Sequence, residues 1–517
     1  MTKTNSNFGR AFAKARNRQQ GSVVLTTLIT LMFVMTMGIA LLSLTMQGLS
    51  QTRRIKASTN AFNLAESGLD RATRWFKELG YPPTYTSEFY PIGGTVTTSE
   101  GKYTVVAYPD AGNAGAVLKK FIIVSTGVAD GRTEKIQLVI RQSSFGKYAY
   151  FTDKETSSVS GGRIWFYGGD HIRGPAHSNN KNGSEFQVNW GSSTSPIFED
   201  TVTSVGDFIT YSPSNPSTES QFAKIYRAGS RGYELGVDEI PLPDSSDAQK
   251  QAAWGPNGSY PSTNGVYTPS GGGIYIRGDA SITMQVDAYG RQQFVIVQGT
   301  KTTTLTVDKA NDVMYQKVNS GATTTIPGSG NGMVYSTGNI TSLSGTIADN
   351  IVSGSPASVA ARSAYTIATD VNNNKNITLT STLKHKTAFN PDLAPNDAAN
   401  LYSGTVGLIG RNVTIASGAP KNMEIDAVIL AGSSSTSDGS FSVADYNTKT
   451  PTGTLKVLGG IIQKARGAVG TLSGSNLATG YAKDYYYDAR MADNPPPFFP
   501  TTGGYDKVSW RRILDNN

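Results

Sequence analysis

The longest apolar segment of the chain runs from Gly21 to Leu49 and contains no charged residue. A helix of that length extends about 40 Å, which is enough to cross a bilayer core of roughly 30 Å. Its polar residues are Ser, Thr and Gln, whose side chains can hydrogen-bond to the helix backbone. The pattern therefore predicts a transmembrane segment over residues 22–49.

The helical pattern continues beyond this segment. Apolar residues recur along one face of a helix, in two series with a spacing of seven: Ile55, Phe62, Leu69 and Phe76, and Ala65, Ala72 and Leu79. Such a stripe is typical of an amphipathic helix. Gly80 is followed by two prolines, a common helix stop. We therefore predict one long helix over residues 22–80.

Three segments with strand-like alternation follow the helix. They cover residues 101–109, 119–127 and 132–141, and Asp130-Gly131 between the last two is a hairpin signal. The pattern predicts a small antiparallel sheet over residues 94–142. Because the sheet offers an apolar face, it can bury the stripe of the helix in a compact α+β unit.

The composition changes at about residue 145, where the chain becomes rich in Gly, Ser, Thr and Asn. Short apolar runs alternate with Gly-polar turns, as in "IYIRGDASITM", "VYSTGNITSL" and "LIGRNVTIAS". No strict repeat is present. We predict a large all-β domain over residues 145–517 and favour a β-helix or solenoid over a sandwich, because the strands are short.

Two parts of this region depart from the pattern. The proline-containing section of about 181–270 is predicted to be an insertion or lateral loop. The tail contains Pro495–Pro497, Phe498 and Phe499, and we expect it to cover an open end of the solenoid, with Trp510 extending that cover. The complete fold class is thus α+β, with a long N-terminal helix, a small sheet and a large β domain.

Charge indicates the topology of the chain. Five basic residues and no acidic residue precede Gly21, and the first acidic residue is Glu66. By the positive-inside rule the N-terminus is cytoplasmic and the remainder lies outside, as a single-pass inner-membrane protein. The formal net charge of +8 becomes +3 without the leader, since 41 basic residues then face 38 acidic ones. No nucleic-acid partner is predicted. The chain has no cysteine, so disulfides do not stabilise it.

The basic leader of residues 1–21, the uncharged helix and the segment "AFNLAESGL" (61–69) together resemble the type IV prepilin-like proteins, and most closely the PilX-type minor pilins. The resemblance implies cleavage by a prepilin peptidase between Gly21 and Ser22. It also implies that the helix then joins other pilins through the pilus assembly machinery. The residues it assigns to helix assembly are Thr26, Phe62, Ala65, Glu66 and Leu69.

Thr26 departs from the pattern of the major pilins, which carry Glu as the fifth mature residue. A carboxylate there would neutralise the terminal amine of a neighbouring subunit, because an unpaired charge in apolar surroundings is costly. Thr26 cannot do this. The departure indicates a fibre tip, a priming complex or a low-copy insert. The first mature residue is Ser22 rather than Phe, which leaves its N-methylation open. The sequence also leaves open whether the fibre is a pilus or a type II secretion pseudopilus. A plain signal anchor is the competing interpretation of the helix.

Chemical motifs in the β domain are sparse. His171 and His177 lie near Asp170 without an obvious third ligand, so a structural role is expected. His385 lies between two lysines and is expected to be solvated. The segment from Asp370 begins like a calcium loop but lacks its glycine and its final carboxylate.

We expect no catalytic residue, cofactor or metal, and therefore no enzyme. Four candidate carboxylates are dispersed over different turns: Asp279, Asp426, Asp438 and Asp445. The predicted function is a structural minor pilin-like subunit that enters or primes a fibre and displays its β domain on the fibre or cell surface. The alternative is an adhesin for a glycan or a surface, and a carbohydrate-active β-helix enzyme is less favoured.

Overall fold

The computed structural model describes residues 9–79, 82–113, 117–181, 186–191, 194–349, 351–352, 355–356, 363–393, 397, 400, 403–451, 453–473 and 476–514, with side chains from residue 23 onward except at 113, 351–352, 355–356, 472 and 476. The first element is one helix, α1 (Gly9–Leu79). It begins earlier than the predicted start at residue 22, and the predicted stop at Gly80 lies outside the described residues. At 1.5 Å per residue α1 is about 105 Å long.

A small antiparallel sheet packs on the C-terminal part of α1, residues 57–79, which we call the outer half of α1. Its strands, in spatial order, are β1 (Thr95–Thr98), β2 (Gly101–Pro109), β3 (Lys120–Ala129), β4 (Arg132–Ser144) and β35 (Thr501–Ile513). The predicted small sheet is confirmed. Its fifth strand comes from the C-terminal end of the chain and was not predicted. Trp510 pairs with Leu138 of β4, so the expectation that Trp510 covers an end of the β domain is wrong.

Small residues let α1 approach this sheet closely. Ala61 and Ala65 are fully buried against it. A Cβ atom at Gly127 of β3 would collide with the carbonyl oxygen of Ala61 and lie 2.7 Å from the amide nitrogen of Ala65. Gly68 of α1 is equally enclosed, since its Cβ would lie 2.9 Å from Val105. Gly68 therefore permits the close packing, although a glycine weakens an isolated helix.

The sheet covers most of the predicted stripe. Phe76 is fully buried, with its ring 5.1 Å from that of Phe121 and 5.2 Å from that of Tyr505. Ile55, the first member of the stripe, is 67% exposed. The N-terminal end of the stripe therefore lies outside the contact between α1 and the sheet.

The large β domain contains the strands β5 to β34, most of them short. The first group in chain order is β5 (Tyr150–Ser157), β6 (His171–Arg173), β7 (Ala176–Ser178), β8 (Gln187–Asn189), β9 (Ile197–Phe198), β10 (Val202–Ser204), β11 (Thr210–Ser212), β12 (Tyr233–Leu235), β13 (Gly265–Tyr267), β14 (Ile274–Arg277), β15 (Ala280–Val286), β16 (Gln292–Gln298), β17 (Lys301–Asp308), β18 (Val313–Val318) and β19 (Thr323–Pro327). The second group is β20 (Met333–Ser336), β21 (Ile340–Ile347), β22 (Ile351–Val352), β23 (Ser355–Pro356), β24 (Ala364–Thr369), β25 (Ile377–His385), β26 (Thr405–Gly410), β27 (Val413–Ile415), β28 (Met423–Ile425), β29 (Val428–Ala431), β30 (Phe441–Val443), β31 (Thr454–Arg466), β32 (Gly470–Ser473), β33 (Asn476–Gly480) and β34 (Ala482–Tyr487). Short helices are α2 (Glu219–Phe222), α3 (Asp247–Trp254) and α4 (Arg490–Asp493).

Parallel pairing dominates the β domain and forms two ladders. The first ladder has the order β12-β10-β7-β5-β31-β29-β26-β24-β20-β14. The second joins β15, β21 and β25 to β28 and, through β27, to β30. From β28 it continues through β31 and β34 to β6 and β9. The strands β15 to β19 pair antiparallel with one another and extend the second ladder at its β15 end.

Buried apolar side chains stack along each ladder, and one core cluster contains residues of both ladders. In the second ladder Ile282, Leu343, Leu379, Ile415 and Val443 occupy successive paired positions. All five are at most 2% exposed. Such stacking gives each short strand a share of one continuous core, which a single short strand could not form.

The path of the chain through the first ladder begins in its middle. The chain enters at β5, proceeds outward to β12, crosses the ladder and returns from β14 to β31, beside its entry. The section 181–270, predicted to be an insertion, contributes β10 and β12 to the ladder. The crossing segment, residues 236–264 between β12 and β13, lies against the ladder. There Ser246 Oγ donates to Thr369 O at 2.8 Å, and Asn179 Nδ2 donates to Ile240 O at 2.7 Å.

The C-terminal tail lies on a face of the β domain, whereas the sequence suggests that it covers an end. Phe499 is 3% exposed and belongs to the cluster that contains Tyr335 and Ile409. Gln249 Nε2 of the crossing segment donates to Phe498 O at 2.8 Å. The tail and the crossing segment therefore cover the same ladder side by side.

His385 is buried, so the expectation that it is solvated is wrong. Its Nδ1 lies 3.0 Å from Asp426 Oδ2, and its side chain is 1% exposed. Neighbouring side chains of a strand point to opposite faces. Lys384 therefore points outward while His385, next to it in β25, points inward.

Substitution of Gly127 tests the packing of α1 on the sheet. Gly127→Ala should lower the free energy of unfolding of the helix–sheet unit by about 1–3 kcal/mol, since the added methyl group must displace α1 backbone. Urea unfolding followed by hydrogen exchange of residues 61–69 measures this. Gly258→Ala is the matched control, because a Cβ there meets nothing within 4 Å. Equal stability of the two variants would contradict the packing.

His177 makes the β domain sensitive to acid. It is 1% exposed, its Nε2 donates to Asn179 Oδ1 at 3.0 Å, and burial lowers its pKa from 6.5 to about 4. Between these values only the unfolded chain binds the proton, so stability falls as the pH drops from 6.5 towards 4. From pH 7.5 to 5.0 the loss should be about 2 kcal/mol.

Urea unfolding at the two pH values measures this loss. His177→Gln should remove most of the pH dependence, even if it lowers stability at both pH values. His171→Gln, at a partly buried histidine paired with Glu199, is the control and should retain the pH dependence. An unchanged pH dependence in His177→Gln would contradict the assignment.

Candidate assembly interface

The inner half of α1 presents apolar side chains to its surroundings over Val23–Leu49. Phe33 is 71% exposed and Leu49 is 57% exposed, and the intervening large apolar residues have similar values. The helix is long and apolar enough to cross a membrane, with a mean hydropathy of 2.2 in its most apolar window. None of that window is buried within the chain. An apolar surface of this extent requires lipid or a partner.

The threonine hydroxyls of this half bond to the helix itself. Thr26 Oγ1 donates to Val23 O at 3.0 Å, and Thr45 Oγ1 donates to Leu41 O at 2.9 Å. Each hydroxyl is thus satisfied without water, as a lipid or a helix bundle requires. Thr26 adds no charge to the apolar surface. Gly21 and Ser22 lie within α1, but the structure describes only their backbone.

The remaining residues assigned to assembly fall into two environments. Ala65 and Leu69 are buried against the small sheet of the same chain. Phe62 is half-buried, and its ring stands edge-on to Trp510 at 6.3 Å. Glu66 is exposed. Of these four, Glu66 is therefore the one whose side chain is fully available to another subunit.

A pocket of about 510 Å³ in the β domain was not found from the sequence. Aromatic and polar side chains line it, among them Arg163, Trp165, Tyr167, Tyr446, Tyr481, Asp170 and Lys483. Trp165 and Tyr167 belong to "GGRIWFYGG", whose apolar run suggests a strand. In the structure this segment forms only isolated bridges, from Arg163 to Thr156 and from Phe166 to Val188. Non-local folding brings Tyr446 and Lys483 to it, so local pattern could not reveal it.

An ion pair lies in the wall of this pocket. Lys483 Nζ is 2.7 Å from Asp170 Oδ2, and the two side chains are 20% and 8% exposed. Burial lowers the pKa of Lys483, while the Asp170 carboxylate opposes that shift. Arg163 at the rim is exposed and has no carboxylate within salt-bridge distance among the described residues. The pocket thus combines apolar ring faces with a net positive rim.

The dispersed carboxylates each have a separate environment. Asp279 Oδ1 accepts from the Asn339 amide at 2.7 Å, and Asp438 pairs with Arg411 at 2.5 Å. Asp426 pairs with His385, and Asp445 lies in another turn. Asp370, which begins the calcium-like segment, accepts at 2.9 Å from Asn373 Nδ2. Among the described residues no group of three His, Asp or Glu side chains could hold a metal ion.

A family model for a domain of unknown function (DUF4900) matches residues 103–206, from β2 of the small sheet to the first strands of the β domain. No curated protein matches the chain. Among solved structures, the chain is similar to the competence-associated pilin ComZ from Thermus thermophilus, with 13% identity over 89% of this chain and 98% of that one. The TM-score is 0.26, which is too low to support an argument.

Proposed function

We propose that the protein is a minor pilin-like subunit that is stored in the inner membrane and then enters or primes a type IV pilus-like or pseudopilus fibre. The division of α1 carries this proposal. Its outer half is buried on its own sheet, whereas its inner half exposes large apolar side chains continuously over Val23–Leu49. A membrane and a bundle of similar helices are the two environments that such a surface fits.

The proposed route follows from the N-terminal charges. The basic leader keeps the N-terminus in the cytoplasm, where a prepilin peptidase cuts between Gly21 and Ser22. The helix then contacts other pilins through Val23–Leu49 and through the exposed face that carries Glu66. Since Thr26 supplies no charge for a neighbouring amine, we place the subunit at a tip, in a priming complex or at low copy.

We further propose that the β domain is a β-helix displayed outside the cell. The in-register parallel ladders and the stacked apolar residues support this interpretation. Successive strands of the first ladder repeat the same pairing, as a solenoid requires. We assign it no enzymatic role, since its candidate carboxylates occupy separate turns.

The processing step has a direct test. Gly21→Ala should block cleavage, so that the intact chain retains its leader, whereas the native chain begins at Ser22. N-terminal sequencing and intact mass of the membrane-extracted protein measure this in the native host. Gly38→Ala, in the same helix, is the matched control and should mature normally. Maturation of Gly21→Ala at the native rate would contradict the proposal, as would a mature native chain that starts at Met1.

The pocket favours a second function, a pilus-borne adhesin for a glycan. The C–H face of a pyranose ring is apolar and can stack on Trp165 or Tyr167, while its hydroxyl groups need polar partners. Arg163, Asp170 and Lys483 provide them in the same pocket. The positive rim favours a sugar that bears a carboxylate.

Glycan binding should depend on Trp165. A screen of the full chain in detergent against neutral and uronate-containing glycans identifies the ligand. Trp165→Ala should then weaken its binding at least tenfold, or about 1.4 kcal/mol. Phe208→Ala, at an aromatic residue that is 55% exposed and lies outside the pocket, is the control. The full chain is needed because β35 pairs with β4. Absence of any bound glycan, or equal binding by Trp165→Ala, would remove this function.

A further inference from the structure

A basic cleft lies at the base of the small sheet, close to the apolar half of α1. Its volume is about 600 Å³. Three distant parts of the chain form it: α1, the β3–β4 hairpin and the end of β35. Its charged and apolar lining includes Arg54, Ile55, Arg132, Glu134, Arg512 and Leu514.

Positive charge exceeds negative charge in the cleft. Arg512 pairs with Glu134, with a separation of 2.5 Å. Arg54 and Arg132 are exposed and have no carboxylate within salt-bridge distance among the described residues. Arg53 is also exposed on the adjoining turn of α1. The cleft therefore offers unneutralised guanidinium groups, which suit a phosphate better than an ammonium group does.

The position of the cleft along α1 relates it to a membrane surface. The uncharged segment ending at Leu49 is about 40 Å long, close to the full thickness of a bilayer with its head groups. Arg53 and Arg54 follow Leu49 by about 7 Å along the axis, within one Debye length of about 8 Å at physiological salt. The apolar side chains up to Leu49 hold the helix at this depth, because withdrawing them from lipid is costly.

Two exposed apolar residues border the cleft. Ile55 is 67% exposed and Leu514 is 73% exposed. Basic groups beside apolar groups are typical of surfaces that rest in the head-group region of a bilayer. Basic residues close to the outer end of a transmembrane helix also run against the positive-inside bias. An anionic partner at the outer surface would compensate their charge.

We propose that this cleft binds the phosphate groups of anionic phospholipids in the outer leaflet of the inner membrane and seats the small sheet on the bilayer. Arg54 and Arg132 bind the head group, while Ile55 and Leu514 contact the acyl boundary. The inference depends on the membrane span of α1 and is independent of cleavage, fibre assembly and glycan binding.

A label in the cleft tests the proposal. The chain has no cysteine, so Thr133→Cys creates a single site for a fluorophore at an exposed residue that lines the cleft. The full, unprocessed chain is reconstituted in vesicles of phosphatidylcholine with 30% phosphatidylglycerol. Either lipid then carries a head-group spin label. Spin-labelled phosphatidylglycerol should quench at least about threefold more than spin-labelled phosphatidylcholine, and 0.5 M salt should reduce the difference.

Charge variants locate the effect. Arg53→Gln, Arg54→Gln and Arg132→Gln together should remove the preference for phosphatidylglycerol, and they leave the Arg512–Glu134 pair intact. The matched control is Lys301→Gln, Lys317→Gln and Lys421→Gln, which removes the same charge from exposed positions of the β domain. Circular dichroism verifies that both variants are folded.

Two results would overturn the proposal. Equal quenching of the native cleft by both lipids would exclude a head-group site and would favour an acidic protein surface as its occupant. Equal loss of preference in the control variant would show that net charge alone is responsible. Because the test uses the unprocessed chain in a bilayer, its failure would leave the proposals on processing and glycan binding unaffected.

Discussion

The close approach of α1 to the small sheet is the contact on which the rest of the molecule depends. It is possible only because Gly127 of the sheet faces Ala61 and Ala65 of the helix, and because Gly68 leaves room for Val105. This packing uses the apolar stripe of the outer half within the chain itself. The apolar surface of the inner half then has no internal cover. One helix thus divides into a part that stabilises the fold and a part that needs external lipid or protein.

The small sheet also holds both ends of the β domain. Phe145, at the entry, donates its backbone amide to Pro500 O at 3.2 Å, at the exit, and Thr501 pairs with Ser144. The β domain is therefore an insertion between two adjacent strands, β4 and β35. Two covalent connections through one sheet restrict its motion more than a single linker would, since both must bend together. A force applied to the β domain would thus be transmitted directly to the small sheet and α1.

Local patterns predicted the parts of the structure that local sequence determines. The apolar run of α1 and the alternation in β2 to β4 are both short-range signals, and the long helix and small sheet are confirmed. β4 and β35 lie on either side of the β domain in the sequence, so local patterns could not predict that they pair. The Gly503-Gly504 pair within β35 also gave no strand signal. Tyr446 and Lys483 reach the pocket for the same non-local reason. The burial of His385 could have been inferred, because strand alternation places it opposite Lys384.

The free energy of transferring the inner half of α1 from lipid to water restricts the environments in which the chain is stable. Transfer of the large apolar side chains of Val23–Leu49 from lipid to water would cost on the order of tens of kcal/mol, since each contributes roughly 1.5–3 kcal/mol. That exceeds the usual stability of a folded domain of about 5–15 kcal/mol. Departure from the membrane therefore requires another apolar surface to cover the helix as it leaves. Neighbouring helices can do so without any charge at Thr26, because its hydroxyl is already satisfied by Val23 O. The inner half of α1 is thus suited to an apolar helix bundle as well as to lipid.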